Sequence, residues 1–63
     1  MYIGKKVYYV PSLTEKPVRG TITSLFTNCG VTVITITTKE NNTITDTENK
    51  FSIGYPYILK YWN

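Results

Sequence analysis

Val18-Arg19-Gly20-Thr21-Ile22-Thr23-Ser24-Leu25-Phe26, then Thr27-Asn28-Cys29-Gly30, then Val31-Thr32-Val33-Ile34-Thr35-Ile36-Thr37-Thr38 is the stretch that decides the fold. β-Branched residues dominate both arms; their stiff χ1 suits a pleated strand better than a helix. The four residues between the arms include Asn28 and Gly30, residue types that tolerate positive φ in a tight turn. The pattern predicts a hairpin with strands over 18–26 and 31–38. In the first arm Val18, Gly20 and Ile22 oppose Arg19, Thr21 and Thr23, the period-two alternation of a strand with one buried face. The second arm changes phase, from Val31 and Val33 to Ile34 and Ile36. Such a shift predicts a β-bulge or a strand covered on both sides.

Three further strands flank the hairpin. Tyr2 to Val10 reads as the first, ended by Pro11 and a loop to Pro17. Within it Val7 and Tyr9 share one face, and Lys6, Tyr8 and Val10 the other. Lys39 to Asn42 is a hairpin loop in which Asn41 or Asn42 takes the left-handed conformation. Thr43 to Glu48 is the fourth strand. Asn49 to Pro56 reads as a loop with room for one 3₁₀ turn, and Tyr57 to Tyr61 as the last strand. Five short strands at this spacing make a small barrel or sandwich in a single domain, 1–63. Closure into a barrel removes sheet edges that a sequence so rich in Thr, Ile and Val would otherwise expose.

Composition points the same way. Thr, Ile and Val number 11, 7 and 5 of 63 residues, while Ala, Gln and His are absent. Ordering a chain of this length costs about 95 kcal/mol, and apolar burial offsets roughly 90 kcal/mol of it. Nearly every apolar side chain is therefore expected in the core, with few left to build a substrate pocket. One cysteine, Cys29, excludes an internal disulfide or a cysteine zinc site. Without such staples, and without a signal-like apolar run, the expected compartment is cytoplasmic. The longest apolar run is Val7 to Val10, so no membrane span is expected.

Gly4-Lys5-Lys6-Val7-Tyr8-Tyr9-Val10-Pro11, a variable loop, and Arg19-Gly20-Thr21-Ile22-Thr23-Ser24 together resemble the opening of SH3-like barrels. The pattern is closest to a group of small uncharacterised phage proteins of that fold. Those open with G-x-x-V-x-Y-x-P and G-x-V/I-x-S, and end in a short Leu-containing strand, here Tyr57 to Trp62. The motif is short and covers about the first 24 residues; KOW and Tudor modules share its G-x-x-V strand, although the glycine-rich KOW loop is missing. The resemblance implies a five-stranded all-β SH3-like barrel and a phage accessory protein. It transfers no activity.

The chemistry within reach is narrow. Without histidine the usual general base near neutral pH is missing. Cys29 lies in a turn with no imidazole to activate it. Asp46 and Glu48 stand two apart on one strand face, and read as solvated charges of an edge strand rather than a catalytic or metal-binding pair. The chain therefore reads as no enzyme, with no cofactor and no metal.

The net charge of +3 and a pI near 9.1 permit an acidic partner without demanding one. If the first two strands pair, Lys6, Tyr8, Arg19, Thr21 and Thr23 share one outer face. Lys5 and Lys60 lie near its rim, and Tyr61 and Trp62 belong to a C-terminal aromatic group that either closes the barrel or docks on a partner. Solvation alone accounts for lysines on a barrel exterior, and small-barrel cores use tyrosine freely. The favoured function is a small binding module that engages a host protein or a second copy of itself, since Tyr and Trp are enriched at interfaces. The alternative is a nucleic-acid-binding barrel, because interleaved cations and aromatics suit phosphates and stacked bases.

Overall fold

The computed structural model describes residues 1–12 and 15–54. The architecture is all-β, five antiparallel strands curled into a half-barrel in the manner of a small SH3-like barrel. The strands are β1 (Lys6–Tyr9), β2 (Val18–Asn28), β3 (Val31–Thr38), β4 (Thr43–Thr47) and β5 (Phe51–Ser52), with a 3₁₀ turn at Glu48–Lys50. Their order in the sheet is β4-β3-β2-β1-β5.

The central hairpin forms as its residues dictate, with one change at the turn. Asn28 pairs with Val31, which leaves a two-residue loop of Cys29 and Gly30. Those two residues, at φ 52° and 78°, carry the positive backbone angles; Asn28 stays in the strand. A loop this short needs φ > 0 at both central positions if the strands are to keep their right-handed twist. At the next hairpin Asn41 takes the left-handed position, at φ 67°.

The phase change has its cause in the partner strand. Ile22 pairs with Ile36 and Ser24 with Thr35, so Thr23 is the extra residue of a bulge in β2. The bulge moves the inner face of β2 from even to odd positions: Gly20 and Ile22 point inward before it, Leu25 after it. β3 runs through without interruption, Ile34, Ile36 and Thr38 inward, Val31 and Val33 outward.

The first strand is shorter than expected. Gly4 sits at φ 96° and turns the chain, its N–H donating to the Ile22 carbonyl at 2.8 Å, so that regular pairing begins at Lys6. Phe51 and Ser52, expected in a loop, pair with Tyr9 and Tyr8 of β1. The pairing buries Phe51 against Tyr9, ring centroids 5.1 Å apart. The strand expected over Tyr57–Tyr61 lies outside the described residues.

Val7, Ile22, Ile34, Ile36 and Phe51 form the core, with Tyr9, Leu25 and Ile44 packed around it. The interior takes fewer apolar side chains than composition suggests. Tyr2, Ile3, Phe26, Val31 and Ile53 are each at least half exposed, because a half-barrel of short strands has one concave face to fill.

Asp46 corrects another expectation. It faces the concave side instead of solvent, opposite Ile34 in register, and Glu48 belongs to the 3₁₀ turn. The Tyr9 hydroxyl donates to Asp46 Oδ2 at 2.7 Å, and the Thr47 N–H donates to Oδ1 at 2.7 Å. The first bond, then the second, hold the Asp46 carboxyl below its ordinary range; the Lys50 charge helps and desolvation opposes. The same bond to Asp46, then burial, push the Tyr9 hydroxyl above its ordinary value. This link joins β1 to β4 across the concavity.

Candidate functional site

The outer face of the sheet is where exposed chemistry collects. Lys6 pairs with Thr21 and Tyr8 with Arg19, so the expected face forms as the alternation requires. Thr21 in turn pairs with Thr37, and Thr37 with Thr43, a row of hydroxyls leading away from Lys6. Thr23, as the bulge residue, donates weakly to the Thr35 carbonyl at 3.4 Å. Lys5 lies apart from this row, its ammonium 5.1 Å above the Tyr2 ring. Lys60, Tyr61 and Trp62 lie outside the described residues.

At the open end of β2 and β3 the face hollows into a groove of about 290 Å³, lined by Lys6, Arg19, Gly20, Thr21, Thr37, Thr38 and Lys39. Lys39 and Thr37 were not legible as members. They join because Gly20 pairs with Thr38, which sets Lys39 across from Arg19 at the strand ends. Three cations and the half-buried threonines Thr21 and Thr37 line one depression, and no carboxylate does. Among the described residues none of Lys6, Arg19 and Lys39 makes an ion pair.

A second hollow of about 330 Å³ lies between the Cys29–Gly30 turn and the 3₁₀ turn, lined by Gly30, Val31, Thr32, Thr47, Glu48 and Asn49. Its one charged residue is acidic, and no other ionisable group joins it. The basic groove is therefore the better candidate.

Chemically, the groove can hold an anion and do little else. It has cations to neutralise charge and hydroxyls to donate, with no nucleophile-and-base pair. Cys29, at the far tip of the hairpin, is exposed, and its thiol faces only Asn28 Oδ1 at 3.4 Å. Among the described residues no three His, Cys, Asp or Glu side chains converge on a point that could hold a metal ion. No helix among them is long and apolar enough to cross a membrane.

Comparison with protein-family models, with curated proteins and with solved structures finds no match.

Proposed function

We propose that this chain is a non-enzymatic binding module, of the accessory kind that the resemblance to small phage barrels implies, acting in the cytoplasm. Its groove holds the sugar–phosphate backbone of a nucleic acid. The observation that carries this reading is the convergence of Lys6, Arg19 and Lys39 on one groove without a carboxylate in its lining. Tyr8 stands opposite Arg19 in register, beside the phosphate track. Three cations are few, which sets the scale. Non-specific affinity falls in the range of about 10⁻⁴ to 10⁻⁶ M at physiological salt.

The test is anisotropy of a labelled single-stranded oligonucleotide over a salt series. Three phosphate contacts on a single strand give a slope of about −2 in log K against log salt, from about 0.7 per contact. The triple variant Lys6→Ser, Arg19→Ser, Lys39→Ser loses that binding. Absence of binding at low salt, or an unchanged slope in the triple variant, removes the reading.

A protein partner, of the host or a second copy, remains the second reading, and a different surface favours it. Phe26 and Val31 are 61% and 50% exposed and stand with Val33 on the outer face of the β2–β3 arm, at the end away from the groove.

A further inference from the structure

Charge is distributed unevenly along this basic chain. Between Arg19 and Lys39 there is no charged residue. The β2–β3 arm is therefore neutral along its own length; Arg19 and Lys39 stand at its base, and Lys6 and Lys5 of the neighbouring segment reach no further along it than Thr21 and Ile22. Among the described residues the arm also carries a strand edge with no strand beside it. β2 runs to Asn28, whereas the pairing of the β1 segment with it ends where Gly4 and Lys5 bond to Ile22.

Backbone direction on that edge follows from the bonds of Ile22. Its N–H donates to the Lys5 carbonyl at 2.9 Å, and its carbonyl accepts the Gly4 N–H at 2.8 Å, so both groups point toward β1. Along an antiparallel strand this direction alternates, and the extra residue at Thr23 advances it by one. Leu25 and Thr27 therefore aim their N–H and C=O groups the way Ile22 does, into space where no strand lies among the described residues. Ser24, Phe26 and Asn28 turn theirs toward β3.

We propose that this edge pairs with the same edge of a second copy, antiparallel, about a two-fold axis through Phe26. Leu25 of each copy exchanges two hydrogen bonds with Thr27 of the other, which satisfies the outward groups of both residues. Phe26 meets its symmetry mate as a non-hydrogen-bonded pair, the closer of the two antiparallel pair types, with both rings on the outer face. The proposal rests on the protein-partner reading and is independent of the groove.

The choice of a second copy rests on three features. The edge is self-complementary: Leu25 and Thr27 flank Phe26 symmetrically, as an isologous interface requires. The neutral arm lets two molecules of net charge +3 meet with their basic ends pointing apart, beyond the Debye length of about 8 Å at physiological salt. The other edges of the sheet carry the usual deterrents, β5 being only two residues long with Lys50 beside it and β4 holding the inward-pointing Asp46. The β2 edge over Ser24–Asn28 has no charge, no proline and an exposed aromatic. The paired area is small, so the dimer is a weak one that forms at protein concentrations on the order of 0.1–1 mM.

The test starts from sedimentation equilibrium of the full chain over that concentration range, where the mass is expected to rise toward twice the 7.2 kDa of the chain. In a Cys29→Ser background, Phe26→Cys is expected to form an intermolecular disulfide under mild oxidation. Its Cα separation across the axis would be about 4.5 Å, within the range such bonds allow. Thr45→Cys, on the outer face of β4, is the control and does not cross-link at a comparable rate. Thr27→Pro deletes an outward N–H and leaves the backbone bonds to β3 in place, losing on that side only the Thr27 hydroxyl's bond to the Thr32 hydroxyl at 3.1 Å; it is expected to return the mass to one chain while circular dichroism still reports the folded sheet. If Thr27→Pro fails to fold, the cross-linking comparison decides alone. A dimer lost in Phe26→Asp that gives no Phe26→Cys disulfide overturns the strand pairing and keeps the apolar face as the docking surface. A mass of one chain at every concentration overturns both the pairing and self-docking on that face.

Discussion

Replacing Gly20 with alanine sets two effects of opposite sign against each other at a site where the geometry says which wins. Gly20 is buried between Val7 of β1 and Thr38 of β3. A Cβ there would lie 2.8 Å from Ile36 Cδ1, 3.1 Å from the Thr37 carbonyl oxygen and 3.2 Å from Ile36 Cβ. Its backbone is outside the positive-φ region, so alanine can adopt it. On unfolded-state entropy alone the change would then stabilise by about 0.4–1 kcal/mol. Overpacking a tight core costs about 1–3 kcal/mol. The methyl tip of Ile36 can swing away, but the Thr37 carbonyl is fixed in the ladder, so the packing cost dominates. The expected net loss is about 1–2 kcal/mol, a drop in Tm of roughly 5–15 °C for a domain of this size. Thermal melts followed by circular dichroism measure it. Ile36→Val removes Cδ1, the nearest atom, at a cost of about 0.5–1.5 kcal/mol on its own. Two of the three close approaches remain in that background, so Gly20→Ala should become cheaper there by only about 0.5–1 kcal/mol. A Gly20→Ala protein that melts at or above the wild-type temperature would refute the reasoning, since entropy would then have outweighed the clash.

Three further outcomes follow from particular bonds. Tyr9→Phe deletes the hydrogen bond to Asp46 and is expected to lower stability by about 0.5–1 kcal/mol, the partial exposure of both groups discounting the usual value for a charged acceptor; guanidinium titration reads it. The pH dependence has two limbs. Asp46 is held below its ordinary value in the fold, so its contribution is present above about pH 4 and is lost as pH falls through that lowered value. Tyr9 is held above its ordinary value, so its contribution is present below about pH 10 and is lost as pH rises through the raised value. Tyr9→Phe should abolish the alkaline limb and leave a shallower acid limb, because the Thr47 N–H still bonds Asp46; an unchanged alkaline limb would place its origin elsewhere. Cys29→Asn puts the residue type best suited to a positive-φ position beside Gly30, and should raise Tm by about 2–6 °C.

The sheet was legible in the sequence wherever alternation and turn chemistry agreed. The Val18–Thr38 hairpin and the Asn41 turn are local features, set by residues within a few positions of one another. The bulge was legible only as a disturbance. Val31 and Val33 break phase in β3, yet the extra residue is Thr23 of β2, and a one-strand reading cannot say which partner absorbs the slip. Phe51 is not legible as a strand residue because two residues carry no periodicity. Its place is decided by burial against Tyr9, a contact 42 positions distant in the chain. The place of Asp46 is hidden for a related reason: a carboxylate on an edge strand defaults to solvent, and only the three-dimensional approach of Tyr9 turns it inward. On the outer face, Lys6, Tyr8, Arg19 and Thr21 followed from pairing the first two strands. Lys39 required the β2–β3 register at the far end of the hairpin.

The neutral arm and the basic groove make one joint expectation that neither makes alone. A single groove with three cations is a weak holder of nucleic acid, with a salt slope of about −2 on a single strand. Pairing at Phe26 would put two such grooves into one particle. A strand long enough to reach both would meet six cations, and the slope should approach about −4, with the second groove engaging at the effective concentration the first confers. A strand that fills only one groove should keep the slope near −2 at any protein concentration. Thr27→Pro alters no charge and touches no groove residue, so it should leave the short strand unaffected while returning the long strand to the shallow slope. Equal slopes for long and short strands in a protein shown to be dimeric would mean that the two grooves never share a ligand, and would separate self-association from nucleic-acid binding as unrelated uses of the two ends of the sheet.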